Sequence, residues 1–507
     1  MTRSRIVICA LAPLVGCTVY EPVPLEPEQE WHRMEALRLE NLTRAAAESG
    51  AAENPLPPFD YSNGLSAEEA AGLAVVLNPD LRAFRLQRGI AEAQLTAAGI
   101  LPNPEISTKW LVPTNASVWK TEVDAAIDLT QLLLRRGLEK DRARIHIEEV
   151  RWEIAEKEWR LASEVRLAFV ELLSADDALA IVESQRKVRD RILAGARQRQ
   201  NAGASAPLDT LLAETDLADV ERQALRLAGE RKRALQTLNR AIGLPPNHAT
   251  RIEESTPALT YAPVKMTRQE AALDLWKRRP DLLAAEQAYV GAEKELEIAC
   301  RKQVPSFKVG PSYERDGGEN LFGLNAALAL PLFDRNQGGI ASKLAEREER
   351  RRHYEAVLAS ARAELEAAWT DLDALDAELR YYFDRVAPGL DRILQVTDRA
   401  LQAGDVSLYE LLGVQRRVLE SRSEVQKTLR DFHKAQVNVL RAAGPALSPP
   451  PPTEAGSSHD AAARDTPEET PSPGSGGHAP PDGPIASRSV APPWSRARSS
   501  AEHGWHR

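Results

Sequence analysis

Residues 78–243 and 279–444 are one unit written twice in a single register, and this duplication constrains the fold more than any other feature. Asn78-Pro79-Asp80-Leu81 recurs as Arg279-Pro280-Asp281-Leu282, and Pro104 as Pro305. Gly203 recurs as Gly404, and Gly243 as Gly444. Each pair is separated by the same 201 residues, so no net insertion divides the copies. A period this long does not belong to a solenoid. It predicts one structural half made twice, with both halves contributing alike to a larger symmetric object.

Each copy reads as helix, helix, strand, strand, very long helix, helix. A short helix (66–76 and 267–277) stops at the proline, and a second helix ends near Gly99 and Arg301. The long helices carry the clearest period. Ile147, Ile154, Leu161, Ala168, Ala175 and Val182 are spaced by sevens, as are Leu358, Leu365, Leu372, Leu379, Val386, Ile393 and Ala400. A seven-residue apolar repeat keeps its seam against a partner only in a supercoil, so these segments read as coiled-coil elements. From Gly137 to Gln200 a helix spans about 95 Å at 1.5 Å per residue, which is a rod or a tunnel wall.

The strands agree between copies. Val123, Ala125, Ile127 and Leu129 alternate with Glu122, Asp124, Ala126 and Asp128 within 121–130. In the second copy Leu324, Ala326, Leu328 and Leu330 alternate with Gly323, Asn325, Ala327 and Ala329. The preceding strands match as well: Ile106, Thr108 and Trp110 map onto Phe307, Val309 and Pro311. A half-buried soluble sheet has this alternation, and so does a transmembrane barrel strand with its apolar face outward. Two hairpins in matching phase, attached to such long rods, favour the barrel. Glu122, Asp124 and Asp128 then line its lumen, solvating a water-filled pore. Four strands cannot close a barrel and lipid tolerates no open edge, so strands must come from further copies of the chain.

Composition supports this outline. Aromatic residues are 5% and charged residues 27%, a bias toward long helices. A net charge of −9 without a basic stripe gives no expectation of nucleic acid. No phosphate-cradling glycine loop, nucleophile elbow, HExxH or paired cysteine ligand set is present, so neither an enzyme nor a cofactor or metal site is expected. His146 with Glu149 is only half a metal site, on a helix rich in charge.

The ends differ from the repeats. Arg3 and Arg5 precede the short apolar run Ile6–Leu14, too short to span a bilayer, so 1–16 reads as a targeting segment. Leu14-Val15-Gly16-Cys17 resembles the bacterial lipobox, which implies cleavage before Cys17 and lipidation of that cysteine. Thr18 after it favours the outer membrane by the same resemblance; a plain secretory signal is the alternative. Residues 17–63 read as a proline-broken tether with a helix over 28–48, 64–244 as repeat 1, 245–266 as a linker and 267–444 as repeat 2. Residues 445–507, rich in Pro, Ser and Gly, cannot bury enough to offset ordering entropy and read as a disordered tail. Cys300 is left as a small packed residue near a helix end, with no disulfide partner.

The duplicated region resembles the TolC-like outer-membrane efflux protein family. LSAEEAAGLAVVLNPDL (65–81), GILPNPEIS (99–107), NAGASAPLDTLL (201–212), LALPLFDRNQGGIA (328–341) and LQAGDVSLYELLGVQR (401–416) carry the resemblance. LPNPEIS and PLFDRNQG lean toward the CzcC-like heavy-metal branch over drug-efflux or secretion relatives. The resemblance implies a mainly α fold with a β-barrel portion. In it a homotrimer builds a twelve-stranded outer-membrane barrel that continues into a periplasmic α-helical tunnel. It also implies a periplasmic adaptor and a proton-driven inner-membrane pump as partners. Turn chemistry alone accounts for Gly203-Ala204-Ser205 and Gly404-Asp405-Val406-Ser407, and the resemblance adds adaptor docking at these tips. Asp209 and Glu410 suit helix N-termini, and the resemblance adds a periplasmic gate lined by carboxylates; Gly413 removes a second acid seen in some relatives. A lipid-anchored coiled-coil scaffold is the competing class; it leaves the two amphipathic hairpins unexplained.

Overall fold

The computed structural model describes residues 20–36, 63–111, 119–253, 258–262, 267–316, 318–403 and 405–445. Cys17, Gly404 and the tail beyond 445 lie outside these residues. So does most of the helix read over 28–48, of which α1 (Pro27–Glu35) is described; α1 has no buried residue.

The main unit repeats the sequence duplication element by element. Copy one holds α2 (Ala67–Leu77), α3 (Pro79–Gly99), β1 (Glu105–Leu111), β2 (Lys120–Asp128), α4 (Arg136–Asn201) and α5 (Pro207–Ile242). Copy two holds α6 (Arg268–Ala272), α7 (Leu275–Arg278), α8 (Pro280–Arg301), β3 (Ser306–Asp316), β4 (Glu319–Ala329), α9 (Gln337–Tyr381), α10 (Ala387–Ala403) and α11 (Leu408–Ala443). Both copies start on a capping box 201 residues apart. Ser66 with Glu69 opens α2 and Thr267 with Glu270 opens α6, each pair satisfying two free helix-end donors. Pro79 and Pro280 occupy the first turn of α3 and α8, where a missing N–H costs nothing.

At 66 residues α4 runs about 99 Å. It packs against α2, α3, α5, α8 and α11, so partners surround it and most of its residues are half-buried. This explains why the predicted seam is only partly buried. Val182 is buried, whereas Leu161 and Ala168 are intermediate and Ala162, Val165, Phe169 and Leu172 are buried beside them. In copy two Leu365, Leu372 and Leu379 are buried as the heptad predicts, against Val425, Leu429 and Phe432 of α11.

The second seam then slips. Residues 382–386 form a π-turn, followed by Pro388. A proline in a helix removes one backbone donor and collides with the carbonyl four residues earlier, and the wider turn relieves both problems. The turn advances the buried stripe by one residue. Ala387 is buried in place of Val386, and Ile393 is 50% exposed.

Other expectations shift in smaller ways. The helix expected over 267–277 breaks into α6 and α7 because Asp274 is left-handed at φ 54°, which Asp tolerates better than most residues. β2 ends at Asp128 while Leu129 and Thr130 are already helical, leading into a π-turn at 131–135. Cys300 is exposed rather than packed, because in the last turn of α8 it is its neighbour Ala299 that is buried.

The four strands form one antiparallel sheet in the order β1-β2-β3-β4. Thr130 joins it to the helices: its hydroxyl donates to the Pro305 carbonyl and accepts from the Phe307 N–H, both at 2.9 Å. Among the described residues no helix is long and apolar enough to cross a membrane.

Candidate functional site

The register separates the sheet into two faces. One carries Ile106, Val123, Ile127, Val309, Phe307, Tyr313, Phe322, Leu324 and Leu328 in adjoining rows. Phe322 and Leu324 are 83% and 82% exposed, and Ile106 and Trp110 are nearly as open. An apolar face this large and open has no place against water. The opposite face carries Glu122, Asp124 and Asp128, as the alternation predicts, beside Ser107, Lys109, Ser312 and Lys308. Lys308 bonds Glu105 at 2.7 Å, Lys109 reaches Glu122 at 3.4 Å, and Lys120 holds Glu314. Asp128 caps the helix that follows, accepting from the Gln131 N–H at 3.0 Å. β1 and β4 lie at the two edges of the sheet.

At Gly310 the β3 backbone runs against the β2 backbone. A methyl group there would fall 1.8 Å from the Ala125 carbonyl oxygen, so only glycine lets β3 pass β2.

At the far end of the helices, the α4–α5 turn places Gly203 at φ 68°, with Ala204 N–H returning to the Arg199 carbonyl at 2.8 Å. The hairpin is tied across by Thr210 to Gln200 at 2.6 Å and by Arg197 to Glu214 at 2.7 Å. Ala204 is exposed and Ser205 half-buried; Asp209 is half-buried in the first turn of α5. At the α10–α11 turn Asp405 and Ser407 are exposed and Val406 is half-buried. Ser407 caps α11 as its residue type suggests. Glu410 completes the box, accepting from the Ser407 N–H and hydroxyl, each at 2.8 Å. Those bonds, the backbone one first, hold the Glu410 carboxyl below the usual carboxylate range. Its carboxylate is thus already engaged at the helix start.

A cluster that the sequence reading missed lies a turn and a half further along α11. Arg189 of α4 is 2% exposed and pairs with Asp216 of α5, while also donating to the Gln415 side chain of α11. Arg416 of α11 adds a second bond to Asp216 at 3.2 Å. Burial pushes the Arg189 guanidinium down, against the pull of Asp216. The three helices from both copies therefore meet on one buried carboxylate. The signal was available: Arg189 stands seven residues after Val182, and Ala196 seven after that. A charge in an apolar seam calls for a buried partner.

Midway along the bundle the linker crosses the helices. Tyr261 donates to Asp376 at 2.5 Å, Leu259 N–H bonds Asp177 at 3.0 Å, and His433 Nε2 lies 2.9 Å from the Thr260 carbonyl. His146 bonds Glu149 at 3.1 Å, but no third ligand joins them; no group of three or more His, Cys, Asp or Glu placed to hold a metal occurs among the described residues.

Comparison with known proteins agrees with this geometry. The family model described as outer membrane efflux protein matches residues 71–244 and 273–445, the two copies. The chain is 23% identical to the cobalt-zinc-cadmium resistance protein CzcC of Cupriavidus metallidurans, over 80% of this chain and 96% of that one. It is 24% identical to the pyoverdine export outer membrane protein OpmQ of Pseudomonas putida, over 56% of this chain and 58% of that one. Among solved structures, CusC aligns with TM-score 0.62 at 18% identity, covering 78% of this chain and 96% of that chain. The outer membrane protein VceC of Vibrio cholerae aligns with TM-score 0.61 at 16% identity, covering 75% and 96%.

Proposed function

This chain belongs to the outer membrane efflux protein family, and we propose that it works as a homotrimeric conduit fed by a periplasmic adaptor and an inner-membrane pump. One observation carries the reading: a four-stranded sheet, apolar and open on one face, polar on the other, with two edges, joined to helices of about 99 Å. In lipid such a sheet has one stable outcome, which is closure with copies of itself. Three copies give twelve strands, with the apolar face to lipid and Glu122, Asp124 and Asp128 to the lumen. The long helices continue the passage through the periplasm.

Heavy-metal cations are the proposed cargo. The likeness to CzcC over most of both chains supports this; the likeness to OpmQ, a pyoverdine export protein, points to a different cargo but spans only 56% of this chain. The chain's role is passage rather than chemistry: the energy comes from the pump. The tips at 203–205 and 404–407 are the proposed adaptor contacts, being the turns remote from the sheet. Asp209 and Glu410 stand just inside them as the carboxylates of a gate, Glu410 keeping its capping bonds. Lipidation at Cys17 is the proposed anchor.

Single-channel conductance of the purified protein in a planar bilayer tests the reading, with Glu410→Ala beside wild type. A small, steady, cation-selective conductance altered by the substitution is expected. A monomer that never inserts would overturn the conduit and favour a periplasmic scaffold.

A further inference from the structure

Asp124 is a carboxylate on the polar sheet face that has neither a lysine partner nor a capping role among the described residues. It is 3% exposed, and no protein hydrogen bond reaches its buried Oδ1 among the described residues. The lysines around it are committed elsewhere: Lys109 to Glu122, Lys308 to Glu105, and Lys120 to Glu314 and Asp316. Asp128 is committed to the Gln131 N–H. Directly across the strands, Asp124 faces Ser107 on β1 and Ser312 on β3, with Gly323 beyond Ser312 on β4.

A buried carboxylate without a donor is costly unless a cation or a proton meets it. Cross-strand neighbours stand about 5 Å apart, so Ser107 and Ser312 are the positions on the same face nearest to Asp124, and an ion between them could draw on their hydroxyl groups. The donor set is all oxygen, without imidazole or thiolate, and suits hard cations such as calcium or magnesium rather than zinc or cadmium. Gly323 leaves the row open on the β4 side, since nothing lies within 4 Å of the position its Cβ would take.

We propose that Asp124, with Ser107 and Ser312, forms a weak hard-cation site on the lumen face, repeated three times around the barrel, that sets the cation preference of its outer part. The inference rests on the trimeric conduit reading and deepens it. Four residues separate Asp124 from the β2 end at Lys120, which places the ring about 13 Å inside the loop end of the sheet. A soft metal ion would pass such a ring without being captured, because oxygen ligands compete poorly for it.

The test is single-channel recording in potassium chloride with calcium chloride added to the loop side, on trimers verified by semi-native gel. Four proteins are compared: wild type, Asp124→Asn, Asp124→Ser and Glu105→Gln. Glu105→Gln removes an equal charge from the same face but from a carboxylate already paired with Lys308. The expected result is calcium block in wild type and Glu105→Gln, lost in both Asp124 variants. The reversal potential in a potassium chloride gradient should also move toward zero in those two variants. Block that survives in Asp124→Asn overturns the site. An equal loss in Glu105→Gln also overturns it, in favour of diffuse lumen charge. A chain that conducts without any calcium block removes the site and leaves the conduit; a chain that forms no pore removes both.

Discussion

The Asn78 side chain donates to the Ala241 carbonyl at 3.0 Å, binding the start of α3 to the end of α5. In the second copy Arg279 makes the same contact, donating to the Ala442 carbonyl at 3.1 Å. The positions correspond across the duplication although the side chains do not. Asn78 also caps α3, accepting from Asp80 and Leu81 N–H at 3.0 and 3.1 Å, whereas Arg279 instead gathers Asp281 and Glu364. The two copies therefore close their helix loops with one geometry and two chemistries. Each closure needs a glycine beside it. A Cβ on Gly243 would lie 2.9 Å from the Leu77 carbonyl, and one on Gly444 would meet Arg279 and Arg278 at 3.2 and 3.3 Å.

Asn78→Ala removes a cap and a buried donor together, and should cost about 1–2 kcal/mol. Asn78→Ser keeps a capping oxygen, is too short to reach the Ala241 carbonyl and adds no charge, so it should fall between that variant and wild type. Denaturant unfolding of the detergent-solubilised protein orders the three. Equal stability of Asn78→Ser and Asn78→Ala would show that the cap contributes nothing.

The Arg189–Asp216 pair should behave as a buried charge that is harmful when halved. Asp216→Asn leaves Arg189 buried against Arg416 and should cost about 3–5 kcal/mol. Replacing Arg189 and Asp216 together with leucine should recover much of this loss. A double-mutant cycle measures the coupling. Additive losses would mean that the pair is not coupled.

Gly310→Ala should abolish assembly, since the added methyl lands on the Ala125 backbone, while Gly323→Ala, with open space, should be tolerated. Heat-sensitive oligomer bands from outer-membrane fractions report both. Normal bands from Gly310→Ala would mean that β2 and β3 are not so close in the assembled barrel.

Burial pushes the His433 imidazole below its ordinary value of 6.5, against the Thr260 carbonyl and Gln436. The sign follows: the unfolded chain takes up the proton first as pH falls. Stability is therefore full above about pH 6.5 and declines below it, toward the lower folded value. His433→Gln keeps a donor for Thr260 and should flatten the decline below pH 6.5. Thermal dissociation of the assembled protein at several pH values checks this. An unchanged slope would assign the acid sensitivity to other groups.

The order of elements, the duplication and the sorting of the strands into two faces were legible in the sequence because they rest on short-range periods. Alternation of two tells which side of a strand is apolar, and a spacing of seven tells that a helix has a seam. Ser407 and Glu410 were readable for the same reason, since a capping box lies within four residues of chain. What the sequence did not disclose depends on groups brought together over long separations. Ile393 lost its seam position to one extra residue in a turn relieving Pro388. Arg189 stands in the seam of α4, but nothing in the sequence pairs it with Asp216 until α4, α5 and α11 pack together. Asp124 looks like any lumen-facing acid until the register shows that every nearby lysine is already engaged. Local periodicity settled which elements form and which way they face. Only the packed chain, where burial makes each unpaired charge expensive, decided which polar groups are free to meet something else.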